Sequence, residues 1–350
     1  MPIATRSGAK ALYEARTPGL NLESTSVFWP SADSPVRHLD AQIREALAAS
    51  LERLSTRAGH LLPTHAFDLE AVCAEIRAHR VSPGAVAAYF ELVPALQVRD
   101  LERAKACWLR IGARPVELPD LRCEAFRPDV LGEDAERYQR LISVGWKDTQ
   151  LFATPDDREI RTFEAAAASA LSLLADALPE WHAEVASLLL RIYGASPDHR
   201  NGRGFSGASS RMVWGAVFIN VTRHAERLPM VSTLVHEATH QVLFGLSQRQ
   251  PLTENPPQER YSSPLRSDPR PMDGVYHATY VAARLALFNA LLCESPALSV
   301  EERHFARARV PQMRQRFEEG LSVVEQHGQL SPLGQQLIAA AAAQLTDFLG

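Results

Sequence analysis

Two histidines and one glutamate in a single apolar segment have the spacing of a metal site. His236, Glu237 and His240 form the pattern His-Glu-Ala-Thr-His within residues 230–245. Residues four positions apart lie on one face of a helix, with Cβ atoms about 5–6 Å apart, so two imidazoles at this spacing can bind one divalent ion. The intervening glutamate lies beside the metal, where it can orient a ligand or transfer a proton.

The helix that carries this motif is predicted over residues 229–246 and is expected to be largely buried. Apolar residues flank the two histidines: Val231, Leu234, Val235, Val242 and Leu243. Buried imidazoles without partners are unfavourable, so burial favours a metal site over a pair of partly exposed histidines.

A third ligand is expected because a catalytic metal usually takes three protein ligands and keeps open positions. We predict His277, on a predicted helix over residues 274–292; the alternative is a core histidine satisfied by a hydrogen bond. Four acidic residues are rival ligands: Glu254, Glu259, Asp268 and Asp273. His224, in a polar stretch before the motif helix, is predicted to lie at the surface.

Two arginines lie among prolines in the segment before His277. Arg266 and Arg270 belong to a Pro-, Ser- and Arg-rich loop predicted over residues 247–271. An arginine fork suits a carboxylate, and Arg284 shares a helix face with His277. Arginine is common throughout the chain, where all but three of the 37 basic residues are Arg, so a chance pair is the alternative.

The elements that must position these residues are mostly helical. The predicted fold is mainly α with a small β-sheet, and the HExxH helix lies next to a short strand region. Residues 212–221, rich in β-branched and aromatic side chains, are the clearest predicted strand. Helices are predicted over residues 40–56, 67–80, 82–96, 99–112, 163–178, 180–193 and in two or three pieces over 299–348.

Length and composition limit the classes of protein that need be considered. A chain of 350 residues suggests two regions. Residues 1–198 are predicted to be a helical N-terminal region that contacts substrate, and residues 199–350 a metal-binding catalytic region. The alternative is that both regions form one continuous domain. Hydrophobic residues at 46% and a net charge of −4 predict a folded protein without general affinity for nucleic acid or anionic lipid. Short apolar runs and scattered cysteines predict a cytoplasmic protein with free buried thiols and no membrane span.

The order of motifs between residues 199 and 290 resembles one known family. The matching residues are Gly207-Ala-Ser-Ser, Gly215-Ala-Val, the HExxH residues, the segment 262–271 with Asp268-Pro-Arg-Pro, Gly274 and His277. This pattern resembles the HExxH-motif family of peptide-modification proteins, described as 2-oxoglutarate-dependent peptide β-hydroxylases of gene clusters for ribosomally made peptides. One departure is Ala278, where the family often has glycine.

The resemblance implies a non-haem iron oxygenase. Its Fe(II) would be held by His236, His240 and His277, leaving positions for 2-oxoglutarate and O₂. Arg270 or Arg266 would bind the far carboxylate of 2-oxoglutarate, Arg284 is a further cofactor-binding residue, and Glu237 would bond to a ligand or to bound water. The implied reaction converts 2-oxoglutarate to succinate and CO₂ and hydroxylates the β-carbon of a residue in a precursor peptide.

Two other functions are compatible with the same residues. In a zinc metallopeptidase Glu237 would be the general base, and the strand over residues 212–221 would pair with an extended peptide. In a metal-free helical binding or scaffold protein the motif would be coincidental. Imidazole suits both iron and zinc, but a peptidase has no general need for a carboxylate clamp, so the arginine-bearing loop favours the oxygenase.

Overall fold

Helices make up most of the described chain. The computed structural model describes residues 27–117, 120–143, 151–198, 205–248 and 250–349, apart from the side chains of residues 266 and 267. The helices are α1 (Leu39–Ala58), α2 (Leu69–Ala78), α3 (Pro83–Gln97), α4 (Leu101–Ala113), α5 (Pro128–Leu131), α6 (Glu133–Ile142), α7 (Asp157–Ala177), α8 (Pro179–Leu188), α9 (Arg227–Leu246), α10 (Met272–Cys293), α11 (Val300–His327) and α12 (Pro332–Leu349). The predicted fold class, mainly α with a small sheet, is confirmed.

One mixed sheet contains the strands β1 (Arg122–Ala125), β2 (Phe152–Ala153), β3 (Arg191–Pro197), β4 (Gly207–Ser209) and β5 (Ala216–Asn220). Its order is β1-β3-β5-β4, with β1, β3 and β5 parallel, β4 antiparallel to β5, and β2 antiparallel to β3. The central strand β3 is buried throughout.

Two predicted boundaries around this sheet were wrong. The strand predicted over residues 212–221 begins only at Ala216, because Arg211–Val213 is a 3-10 turn and Gly215 has a φ of +83°, which breaks the extended chain. The helix predicted over residues 180–193 ends at Leu188. Its last residues enter β3 instead, where pairing with two neighbouring strands outweighs local helix propensity.

The described residues divide into two compact units. The first comprises residues 38–166 and 186–225 and contains the mixed sheet; the second comprises 27–37, 167–185 and 226–349. In the first unit the ring of Phe218 stacks on Phe152 at 4.7 Å and on Tyr193 at 5.3 Å. In the second unit α10 is the central element and contacts α9, α11 and α12.

A β-hairpin precedes α10, where a loop was predicted. Strands β6 (Tyr261–Ser263) and β7 (Arg266–Arg270) are antiparallel, and β6 packs against α10. Pro269 lies within β7, which suits this short two-stranded ribbon, since proline is confined to strand edges. The hairpin ends two residues before α10, so β7 delivers Arg270 to the start of the helix that carries His277.

None of the helices in the described part of the chain is long and apolar enough to cross a membrane. The four cysteines are free thiols: Cys73, Cys107 and Cys293 are buried and Cys123 is half-buried. Burial raises the pKa of the Cys73 thiol to about 11, which leaves it protonated and unreactive at neutral pH.

Candidate metal centre

The predicted HExxH helix exists as α9, within the second unit. Its apolar residues, among them Val231, Leu234 and Val242, are buried, whereas the side chain of His236 remains partly exposed. The neighbouring helix α10 carries His277 in its second turn, with a side chain only 8% exposed. Packing of α10 against α9 brings together residues that are far apart in the sequence.

The three predicted histidine ligands form one cluster, with His240 in the middle. The Nε2 atoms of His240 and His236 are 3.2 Å apart, and the Nδ1 atoms of His240 and His277 are also 3.2 Å apart. The rings of His240 and His277 are stacked, with centroids 5.4 Å apart and planes inclined by 16°. The structure therefore places His277 beside the HExxH pair, as expected of either a ligand or a supporting residue.

The donor set can be compared directly with the needs of a divalent ion. Two nitrogens that each lie about 2.0–2.1 Å from one ion are about 3 Å apart, so the Nε2 atoms of His236 and His240 suit a common metal. His277 faces the other nitrogen of His240. As the side chains stand, no group of three or more His, Cys, Asp or Glu residues in the described ranges is arranged to hold a metal ion.

Carboxylates flank both ends of the histidine cluster. Glu237 is buried, and its Oε1 lies 4.0 Å from Nε2 of His236. Asp273 is largely exposed, and its Oδ1 lies 3.9 Å from Nε2 of His277. Carboxylates near metal-binding imidazoles commonly fix the orientation of the rings and raise their basicity. Of the four rival acidic ligands, Asp273 is therefore the one placed next to a predicted ligand.

The other rival ligands have different partners. Asp268 pairs with Arg270, with Oδ2 3.2 Å from Nη2, and the carboxylate of Glu259 accepts a hydrogen bond from the Tyr261 hydroxyl. The backbone amide of Glu254 donates to the carbonyl of Gln329.

His224 was predicted at the surface, and that prediction was wrong. The residue is buried in the first unit, where its Nδ1 lies 2.8 Å from the carbonyl oxygen of Asn220 and its Nε2 3.4 Å from Ser206 Oγ. Burial lowers the pKa of the imidazole. The 3-10 turn Val221–Arg223 turns the chain back, so a residue in a polar stretch of sequence faces inwards.

Phe244 is a site residue that sequence analysis missed. Its ring lies 6.1 Å from His240 with an interplanar angle of 21°, and 5.2 Å from His277 with an angle of 37°. The helical spacing 236, 240, 244 could have revealed it, since residues four apart share a face. Phe244 thus provides an apolar wall along two of the three imidazoles.

The predicted carboxylate-binding arginines lie in different surroundings. Arg270 is about one-quarter exposed, and its Nε is buried without a hydrogen-bond partner among the described residues. Arg284 is fully buried, and its Nη2 donates to Oε1 of Glu184 at 2.7 Å. The side chain of Arg266 lies outside the described residues.

Comparison with known proteins finds neither a matching family model nor a curated protein of significant similarity.

Proposed function

We propose that the protein is an Fe(II)- and 2-oxoglutarate-dependent oxygenase that hydroxylates the β-carbon of a residue in a ribosomally made precursor peptide. The observation that supports this proposal is the cluster of three imidazoles from α9 and α10, with Arg270 two residues before the helix that carries His277. Three neutral imidazoles leave a divalent iron with open positions for a bidentate 2-oxo acid and O₂.

Each residue of the site has a distinct role in this proposal. His236 and His240, whose Nε2 atoms face each other, would hold the metal. His277 faces Nδ1 of His240, so its ring would have to turn to supply the third imidazole. Glu237 orients His236 or a bound water molecule from its buried position. Phe244 excludes water from the faces of His240 and His277. When bound, iron with 2-oxoglutarate and O₂ supplies the oxidising chemistry. The protein positions the reacting groups and excludes bulk water from them.

A zinc metallopeptidase is the second candidate, and the position of Glu237 favours it. This carboxylate lies next to His236, as a general base that activates a zinc-bound water must. The two candidates differ in what they consume, because only the oxygenase converts 2-oxoglutarate to succinate.

The first experiment is anaerobic addition of Fe(II) and 2-oxoglutarate to metal-free protein. We expect a weak visible charge-transfer band that requires both additions and disappears in His236→Ala and His240→Ala. The matched control is His304→Ala, because His304 is an exposed histidine of α11. Aerobic turnover should then yield succinate and a peptide heavier by one oxygen atom. Tight Zn(II) binding with cleavage of a test peptide, and no band, would establish the peptidase instead.

A further inference from the structure

Three helices of the first unit border a cavity of about 420 Å³ that has no role in the proposed function. This volume lies within the usual range of small-molecule sites, about 300–1,000 Å³. Six of the side chains that line the cavity are charged: Glu91 of α3, Arg103 of α4, and Glu133, Glu136, Arg137 and Arg140 of α6. The residues of α6 recur at helical spacing, so one face of that helix forms a charged wall.

The charges of this lining balance, because three arginines face three glutamates. All three arginines donate to the buried carboxylate of Glu91: Arg103, Arg137 and Arg140. The other two carboxylates, those of Glu133 and Glu136, are largely exposed. They repel a polyphosphate or another strongly anionic ligand, whereas a ligand with one positive and one negative group can pair with both kinds of side chain. The lining therefore favours a zwitterion.

Two of the arginines retain N–H groups for a ligand. Arg103 and Arg140 are each nearly half exposed. Among the described residues, the guanidinium of Arg103 donates only from Nη2, to Glu91. Nη1 of Arg140 lies 3.6 Å from Oε2 of Glu136, which is beyond direct hydrogen-bond distance. Both groups can therefore bind a ligand while the buried Glu91 keeps its partners.

We propose that this cavity binds a free α-amino acid. The carboxylate of the amino acid accepts from Arg103 and Arg140, and its ammonium group donates to Glu136. The two charges of an α-amino acid are close together, and the Arg140 and Glu136 side chains that would receive them are also adjacent. Ala106 of α4 lines the same cavity, and its short side chain leaves room for the substituent on the α-carbon.

This inference goes beyond the proposed function and does not depend on it. The lining belongs to the first unit, whereas the histidine cluster belongs to the second. Amino-acid binding is measured on metal-free protein, and the oxygenase is tested by its charge-transfer band. Failure of either measurement therefore leaves the other result intact.

The test detects amino acids bound to the full-length, metal-free protein by saturation-transfer NMR, with a mixture of the protein amino acids as the probe. Each amino acid that gives a signal is then titrated alone. We expect Arg103→Ala to weaken its binding roughly tenfold, because a charged hydrogen bond is lost. This variant should remain folded, since Arg137 and Arg140 still donate to Glu91. Glu136→Gln should weaken binding less, because Glu136 is more exposed.

Lys105→Ala and Glu102→Gln are the matched controls. The two residues pair with each other at 3.0 Å on the exposed side of α4 and do not line the cavity. Both variants should bind the amino acid as the wild type does. The N-acetyl derivative of the bound amino acid, which lacks the ammonium group, should bind the wild type more weakly than its parent. In Glu136→Gln the difference between parent and derivative should shrink.

Three results would overturn the proposal. The first is the absence of a saturation-transfer signal from every amino acid in the mixture. The second is equal affinity of Arg103→Ala and wild type, which would place any bound amino acid elsewhere. The third is equal binding of the parent and its N-acetyl derivative together with displacement of both by inorganic phosphate, which would indicate a simple anion site.

Discussion

Each of the two units contains a buried glutamate that pairs with arginine. The two glutamate–arginine clusters differ in how many of their polar atoms have hydrogen-bond partners among the described residues. In the first unit, Glu91 accepts from Arg103 at 2.8 Å, from Arg137 at 3.1 Å and from Arg140 at 2.9 Å. We name these four residues the Glu91 cluster. In the second unit, Arg284 has donors left over after its bond to Glu184.

The pKa values of the two carboxyl groups shift in opposite directions. Burial raises the pKa of Glu91, but hydrogen bonds and charges from Arg140 and Arg103 outweigh it, so the pKa lies below its usual value. Burial also raises the pKa of Glu184, and the charge of Arg284 offsets only part of that effect, so its pKa lies above its usual value. The anion of Glu91 is thus stabilised by several arginines, whereas the one arginine beside Glu184 compensates its burial only in part.

The largest expected effect is on stability, from Glu91→Gln. Arg103, Arg137 and Arg140 share the buried Glu91 carboxylate, and of these Arg137 keeps a second carboxylate partner in Asp134. Loss of the shared charge should therefore lower the free energy of unfolding by about 3 kcal/mol. Glu184→Gln, the matching change in the second unit, should lose only about 1 kcal/mol, because the neutral form of that side chain is favoured by burial. Urea unfolding measures both; equal losses would contradict the comparison.

His277→Ala changes a residue of α10, the helix that also carries Arg284. If His277 is a metal ligand, Co(II) affinity should fall as far as it does in His236→Ala. A tenfold to hundredfold loss, about 1.4–2.7 kcal/mol, would show instead that His277 only orients His240 through Nδ1.

The pH dependence of stability should differ in sign between the two clusters. The pKa of Glu184 is higher in the folded protein than in the unfolded chain. Its contribution to the free energy of unfolding is therefore complete below the unfolded-chain pKa of 4.5 and is lost as the pH rises through the folded pKa. The pKa of Glu91 is lower in the folded protein than in the unfolded chain. Its contribution to the free energy of unfolding is therefore present above the unfolded-chain pKa of 4.5 and is lost as the pH falls through the folded pKa. Urea unfolding of wild type and each Gln variant across pH measures both slopes, and slopes of the same sign would refute the assignment.

The smallest expected effect comes from Arg103→Ala. Arg103 is nearly half exposed, and Arg137 and Arg140 continue to pair with Glu91, so the loss should be about 0.5 kcal/mol. Lys105→Ala, at an exposed ion pair with Glu102 on the same helix, is the control and should be neutral. A loss above about 2 kcal/mol would mean that Glu91 depends on each arginine separately.

Sequence patterns predicted the helices of the site well. The predicted helix over residues 229–246 corresponds to α9, and that over 274–292 corresponds to α10. The helix predicted over residues 82–96 corresponds to α3, and the Ser82 side chain caps that helix. These signals are local, because apolar periodicity and capping act within a few residues. The i, i+4 histidine pair is local in the same way, which is why its face on α9 was predictable.

The amino-acid sequence alone determined which side chains can bind a metal or a carboxylate, and which of them share a helix face. Only the tertiary structure decided their partners. His277 meets His240 because α10 packs on α9, and Arg284 meets Glu184 across one hundred residues of sequence. His224 is buried against Asn220 and Ser206 after a 3-10 turn, although its neighbours in sequence are polar. Such pairings depend on which distant segments pack together and on which charged groups are buried away from water. Local sequence patterns do not specify either of these.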